Sequence, residues 1–178
     1  MKQKWYINII IVLISSAILI VAWFNGFAWL YAKLLSIGAN ICLAFSPDTT
    51  ISLKMPNNEP TYIVKTIIDG KKASYPQKAD LILLPIIMIL TWQVLLFFNI
   101  ARKKAIRSLT ENLLAFYFIQ IIYLLLLTGY YGSPAVKFIY DLLMDSFYII
   151  ILFLIVKDTF RYGLIHLTKR ETADQGPE

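Results

Sequence analysis

The stretch AVKFIYDLLMDSFYIIILFLIV, residues 135–156, decides the fold class of this protein. It is long enough to cross a bilayer, because about twenty apolar helical residues span the roughly 30 Å hydrocarbon core. It also carries Lys137, Asp141 and Asp145 at positions i, i+4 and i+8, which form one stripe on a helix. The stretch therefore predicts a membrane span that holds charged side chains.

Asp145 is the most informative residue of this stripe. It lies about 12 Å further along the helix than Lys137, at 1.5 Å per residue. An aspartate deep in a span costs about 2.5–3.5 kcal/mol and usually faces a bundle interior, an ion pathway or a partner helix. We interpret Asp145, Asp141, Lys137 and Gln120 as candidate partner or ion contacts, with Gln120 as a possible hydrogen-bond donor to Asp145. A structural ion pair within the bundle is the alternative.

Further apolar runs surround this stretch, and 58% of the chain is hydrophobic while only 16% is charged. A soluble domain would carry about a quarter charged residues. The pattern predicts a membrane all-α protein with four transmembrane helices, an outer interfacial or re-entrant apolar helix and a small β unit. The predicted regions are a membrane anchor (1–26), the apolar interfacial helix or second span (27–45), an extracytoplasmic β domain (46–80), a three-helix transmembrane region (81–156) and a basic tail (157–178).

The run 27–45 is ambiguous, because it contains Lys33 and Asn40 and follows the preceding run after only Asn25 and Gly26. It is either a second span or an amphipathic helix that lies at the membrane surface. We favour the surface position, since Lys33 and Asn40 are better solvated there.

The segment 46–80 differs from the rest in being polar and rich in turn-forming residues. Residues 50–54 alternate as a strand does, and residues 61–68 are rich in β-branched side chains. Asp69-Gly70 then gives a strong hairpin signal before a further strand over 71–75. We expect a β-hairpin or a three-stranded sheet that leans on the membrane, on the 27–45 helix or on a partner.

The distribution of lysine and arginine predicts the orientation, because these residues prefer the cytoplasmic side. The basic loop 102–107 and the tail are therefore expected inside, and the β domain outside. Lys2 and Lys4 favour an inside N-terminus, which leaves one crossing before residue 46. The prediction is a multi-pass protein of the bacterial inner membrane with a cytoplasmic C-terminus.

Several classes of site are excluded by the residues present. One cysteine, Cys42, and one histidine, His166, cannot form a disulfide or an ordinary structural zinc site. The predicted topology also separates them, so we interpret Cys42 as a buried apolar residue. The net charge of +6 is explained by topology rather than by nucleic acid. We predict no catalytic residue, no metal and no cofactor.

Uncharged polar residues within or near the spans have a simpler interpretation. Gln93 and Asn99 are expected to form hydrogen bonds between helices. Arg107 and Glu111 stand at i, i+4 and are expected to pair on the surface of one helix.

The order of the pieces resembles small membrane proteins that accompany exosortases in bacterial envelopes. The matching pieces are the anchor (6–24), the apolar outer helix (27–45), the β segment (50–75), the runs from Leu81, Leu113 and Ala135, and the basic Arg102-Lys103-Lys104 between the first two of those runs. The resemblance rests on architecture and implies an accessory role in the envelope.

We therefore expect a non-enzymatic accessory subunit of an inner-membrane complex for export, sorting or surface assembly. Its expected partners are the lipid bilayer and other integral membrane proteins, through the edge of the 46–80 sheet and through Asp145. A small oligomeric transporter or ion-conducting subunit that uses Asp145 and Asp141 is the alternative. An enzyme with an unrecognised site is the third possibility.

Overall fold

The computed structural model describes residues 2–46, 48–56, 59–79 and 84–162. The fold is mostly helical and includes one three-stranded antiparallel sheet in the order β1-β2-β3. The helices are α1 (Lys2–Ala22), α2 (Ala28–Cys42), α3 (Pro85–Asn99), α4 (Arg102–Thr128) and α5 (Pro134–Arg161). The strands are β1 (Thr50–Lys54), β2 (Thr61–Ile68) and β3 (Lys71–Lys78).

Within the described part of the chain, three helical stretches are long and apolar enough to cross a membrane: Tyr6–Phe45, α4 and α5. These stretches confirm the prediction of membrane-length helices. By contrast, α3 is 15 residues long in the described part of the chain. At 1.5 Å per residue it extends about 22 Å, less than the roughly 30 Å hydrocarbon core. The predicted count of four spans is thus met only in part.

A kink separates α1 from α2. Asn25 and Gly26 leave the helical conformation there, and Gly26 has a φ of 108°, which favours glycine. After the kink, α2 packs against α4 and β1, whereas α1 packs along α3. A Cβ at Gly38 would overlap the Tyr117 hydroxyl, so glycine permits the close approach of α2 to α4.

The sheet follows the predicted pattern closely. β1 and β2 match the predicted strands, and Asp69 and Gly70 take positive φ values of 50° and 75° in the predicted turn. β3 continues to Lys78, past the predicted end at residue 75, and includes Pro76. Proline is tolerated there because β3 is an edge strand. A β-hairpin and a three-stranded sheet were the two alternatives expected, and the three-stranded sheet is correct.

The sheet rests on the helices through its buried face. The Tyr62 hydroxyl donates to the carbonyl of Ala32 on α2 at 3.3 Å, and the Tyr75 hydroxyl donates to the carbonyl of Leu127 on α4. Burial, together with Tyr131 and Tyr140 nearby, raises the pKa of Tyr75 to about 12, so its hydroxyl remains a donor at neutral pH. These contacts support a sheet that is too small to be stable alone.

Two polar residues of α2 cover the free edge of β1. Asn40 Oδ1 accepts from the backbone N–H of Ile51 at 3.0 Å, and Asn40 Nδ2 donates to the Ile51 carbonyl at 2.7 Å. Ser36 Oγ donates to the same carbonyl at 2.9 Å. The amide of Asn40 thus takes the place that a neighbouring strand would occupy.

Two helix ends differ from the predicted boundaries. The predicted basic loop 102–107 is the start of α4, and α5 continues past residue 156 to Arg161, so it includes Lys157 and Asp158 from the predicted tail. Hydropathy marks only the part of a helix inside the hydrocarbon core, whereas lysine and arginine are good helix formers that extend it beyond. His166 and the rest of the tail lie outside the described residues.

Aromatic side chains pack α4 against α5. The ring centroids of Phe116 and Phe147 are 5.9 Å apart, and those of Tyr123 and Tyr140 are 4.3 Å apart. The Tyr123 hydroxyl also donates to the Tyr140 hydroxyl. All four side chains are buried, so this pair of helices forms the centre of the bundle.

The first prediction tests the contact between α2 and β1. Asn40→Leu leaves the N–H of Ile51 without its partner, which should destabilise the protein by about 1–3 kcal/mol. Hydrogen exchange followed by mass spectrometry in detergent should show faster exchange across β1. Asn25→Leu is the matched control, because Asn25 is exposed and bonds to the Val21 carbonyl within its own turn. Equal exchange of β1 in the two variants would contradict the role assigned to Asn40.

Candidate functional site

The four residues predicted as partner or ion contacts do not lie together. Lys137, Asp141 and Asp145 are exposed on α5, whereas Gln120 is fully buried on α4. Gln120 Oε1 accepts from the Tyr31 hydroxyl at 2.5 Å and so joins α4 to α2. The expected hydrogen bond from Gln120 to Asp145 is therefore replaced by a contact on the inner face of α4.

The exposed face of α5 is otherwise apolar. Large exposed apolar side chains lie on both sides of Asp145, which is near the centre of the 28-residue helix. These apolar side chains are Phe138, Leu142, Tyr148, Ile149, Leu152 and Phe153. We name Lys137, Asp141 and Asp145 the acidic stripe. Across the described ranges, the carboxylate of Asp145 makes no hydrogen bond or ion pair.

The other two members of the acidic stripe lie nearer the start of α5. Lys137 Nζ lies 5.4 Å from the ring centroid of Tyr130, a distance typical of a cation–π contact. Asp141, like Asp145, makes no hydrogen bond or ion pair within the described residues. Of these two carboxylates, Asp145 lies four residues further from the start of α5 than Asp141 and so closer to the middle of the apolar face.

A second polar group lies inside the bundle, where three helices meet. Gln93 of α3, Ser108 and Asn112 of α4, and Asp158 of α5 are each at most 2% exposed. We name these four residues the buried polar cluster. It contains a fully buried carboxylate, which is costly to bury unless it is paired and hydrogen-bonded.

The donors of the cluster converge on one oxygen of Asp158. Oδ2 accepts from Ser108 Oγ at 2.6 Å, from Asn112 Nδ2 at 2.6 Å and from Gln93 Nε2 at 3.4 Å. Hydrogen bonds to an ionised acceptor are about twice as strong as neutral ones. One carboxylate oxygen thus connects α5 to both α3 and α4.

Lys157 supplies the positive charge next to the cluster. Its Nζ donates to Asn112 Oδ1 at 2.7 Å and lies 3.7 Å from Asp158 Oδ1. The Lys157 side chain is 32% exposed, so its ammonium group is at the boundary between cluster and solvent. Outside the buried polar cluster, Glu111 pairs with Arg107 at 2.8 Å, which confirms the predicted pair. Glu111 also pairs with Arg161.

Two buried oxygens of the cluster could each accept a further hydrogen bond. Asp158 Oδ1 and Gln93 Oε1 are buried and have no hydrogen-bond partner among the residues that the structure describes. Buried polar atoms are nearly always paired, so each exception requires an explanation. Both atoms are acceptors: Gln93 Oε1 lacks a proton donor, and Asp158 Oδ1 has the ammonium group of Lys157 at 3.7 Å but no hydrogen bond.

Most of this cluster was not predicted from the sequence. The predicted hydrogen bonding of Gln93 between helices is confirmed, but Asp158 was predicted to lie in the tail, and no role was predicted for Ser108 and Asn112. The sequence did contain one indication that Asp158 is buried. Asp158 follows Leu154 and Ile151 at helical spacing, and both are buried, so a longer α5 would have placed the carboxylate on the inner face.

The position of Cys42 also differs from its interpretation as a buried residue. Its side chain is exposed near the end of α2, while the buried positions of that helix are earlier in the sequence.

Comparison with known proteins gives no assignment. No protein-family model, no curated protein and no solved structure matches this chain. Within the described ranges, no three histidine, cysteine, aspartate or glutamate side chains come close enough to hold a metal ion. The candidate sites must therefore be interpreted from their own chemistry.

The second prediction tests whether the buried cluster holds the helices together. Ser108→Ala removes a hydrogen bond to a buried carboxylate, so it should destabilise the protein by about 1.5–3 kcal/mol. Unfolding in mixed detergent micelles measures this. Ser146→Ala is the control, because Ser146 Oγ bonds to the Leu142 carbonyl of its own helix, and its cost should stay within about 0.5 kcal/mol. A cost for Ser108→Ala no larger than that of Ser146→Ala would contradict the structural role.

Proposed function

We propose that this chain is a non-enzymatic accessory subunit of a membrane complex in the bacterial cell envelope. In this proposal a helix of another integral membrane protein packs on the exposed face of α5 and covers Asp145. The observation that carries the proposal is the position of Asp145, an exposed carboxylate in the middle of an apolar helix face.

The energetic argument starts from the lipid environment. The apolar side chains around Asp145 suit lipid, but a carboxylate in the same place costs about 2.5–3.5 kcal/mol. Charged residues in spans usually pair with one another or face a protein interior or water. Because the described chain offers Asp145 no hydrogen bond or ion pair, a partner that supplies a donor or cation at this depth removes the cost.

The geometry favours a helix contact over an ion pathway within the chain. Asp141 and Asp145 point outward from α5, away from the bundle interior where Phe147 and Ile151 lie. A pathway that used these carboxylates would have to run between copies of the chain. The acidic stripe is accordingly assigned to assembly, with the lysine or arginine of a partner helix as the group that meets Asp145.

The edge of the sheet is a weaker candidate for a partner than the sequence indicated. Asn40 and Ser36 already bond to Ile51 at the free edge of β1. The other edge belongs to β3, where Pro76 lacks a backbone N–H. Strand addition needs a row of free backbone groups, so α5 offers the better contact surface.

The third prediction tests the contact at Asp145. Asp145→Asn removes the charge and should weaken co-purification of the chain with its native partners by about tenfold, which corresponds to roughly 1.4 kcal/mol. Asp145→Leu should insert at least as well and disrupt the complex at least as much. Asp141→Asn is the matched control, because Asp141 is nearer the end of α5, and it should have a smaller effect.

Quantitative mass spectrometry of the material purified from native membranes measures this outcome, with the amount of inserted protein as the reference. Wild-type recovery of every partner with Asp145→Leu would overturn the proposal. A loss with Asp141→Asn alone would show that the contact lies nearer the end of the helix.

The fourth prediction concerns orientation, with the β domain outside and the start of α4 inside. Ser52→Cys and Ile106→Cys, each in a Cys42→Ser background, place thiols at exposed positions of β1 and α4. An impermeant thiol reagent should label the first variant in intact spheroplasts and the second only after the membrane is opened. The reverse labelling would invert the orientation.

A further inference from the structure

We propose that the buried polar cluster binds one monovalent metal cation of the sodium type, and that the ammonium group of Lys157 competes for the site. This inference goes beyond the proposed function and does not depend on it, since the cluster lies within one chain.

The unsatisfied atoms define the charge of the ligand. Asp158 Oδ1 and Gln93 Oε1 are both oxygens with free lone pairs, and both lie in residues at most 2% exposed. An anion or a further acceptor would be repelled by them. The ligand must therefore carry positive charge or donate protons.

The element of the ligand atoms then defines the class of cation. Every free ligand atom of the cluster is an oxygen, and oxygen ligands favour hard cations over zinc or copper. The single carboxylate, Asp158, balances one positive charge. Because sites for divalent cations usually contain more carboxylates, this set matches a monovalent ion.

Lys157 determines how tightly the cation can bind. With its ammonium group 3.7 Å from Asp158 Oδ1, the pair is already neutral, and a second cation would leave an uncompensated buried charge. The lysine side chain is partly exposed and long enough to extend into solvent. Its departure would free Asn112 Oδ1 as a third oxygen for the cation.

This competition gives the site a specific signature. Cation binding should be weak in the wild-type protein, because the cation must displace a tethered ammonium group. Lys157→Met keeps all four side chains of the cluster and removes the competitor, so it should strengthen binding. A merely structural ion pair would lose stability in this variant and gain no response to sodium.

The experiment uses the full chain in a non-ionic detergent. Thermal unfolding is followed in sodium chloride and in choline chloride of equal ionic strength, because choline is too large for the buried polar cluster. Sodium should raise the Tm of the wild-type protein. In Lys157→Met, the sodium concentration for half-maximal stabilisation should fall by about tenfold or more, a ratio that corresponds to roughly 1.4 kcal/mol.

Two controls make the result specific. Lys137→Met removes an exposed lysine from the same helix and should leave the sodium response at the wild-type level. Asp158→Asn keeps the shape of the side chain but removes its charge, and it should abolish the response.

Three outcomes would overturn the proposal. Equal Tm values in the two salts for both wild-type and Lys157→Met would mean that the free oxygens hold only water. A Tm that follows pH but ignores the exchange of choline for sodium would mean that the cluster binds a proton. A sodium response that persists in Asp158→Asn would place the cation elsewhere.

Discussion

Polar groups inside the apolar part of this protein must find partners, because unmet hydrogen bonds cost several kcal/mol in hydrocarbon. Two arrangements that join distant parts of the chain meet this constraint. Asn40 bonds to both backbone groups of Ile51 and thereby connects α2 to the sheet. Asp158 gathers donors from α3 and α4 around one oxygen. The positions of the sheet and of the inner helices depend on these few side chains.

The sequence predicted what local patterns determine. The strands and the Asp69-Gly70 turn follow from alternation and backbone preference, and the membrane-length helices follow from apolar runs. Helix ends were missed because charged residues continue a helix beyond the apolar part. The cluster was missed for another reason: Ser108, Asn112 and Asp158 are individually ordinary, and only tertiary packing brings them together with Gln93.

The two aspartates of α5 differ in environment because of helix geometry. Residues 145 and 158 are thirteen positions apart, and at 3.6 residues per turn this separation rotates the side chain by about 220°. Asp158 therefore faces the bundle and finds three donors there, while Asp145 faces outward. The same residue type bonds to two other helices of the chain at one position and is exposed on an apolar helix face at the other.

The contacts of α2 bear on whether this helix crosses the membrane. The sheet bonds to Ala32 through Tyr62 and to Asn40 through Ile51, so it lies alongside α2 rather than at its end. These two attachment points are about 12 Å apart at 1.5 Å per residue. If α2 crossed the bilayer, it would draw the exposed lysines of the sheet into hydrocarbon, at about 2.5–3.5 kcal/mol for each at full depth. A position of α2 near the membrane surface avoids this cost, and its outward apolar residues then contact lipid from one side.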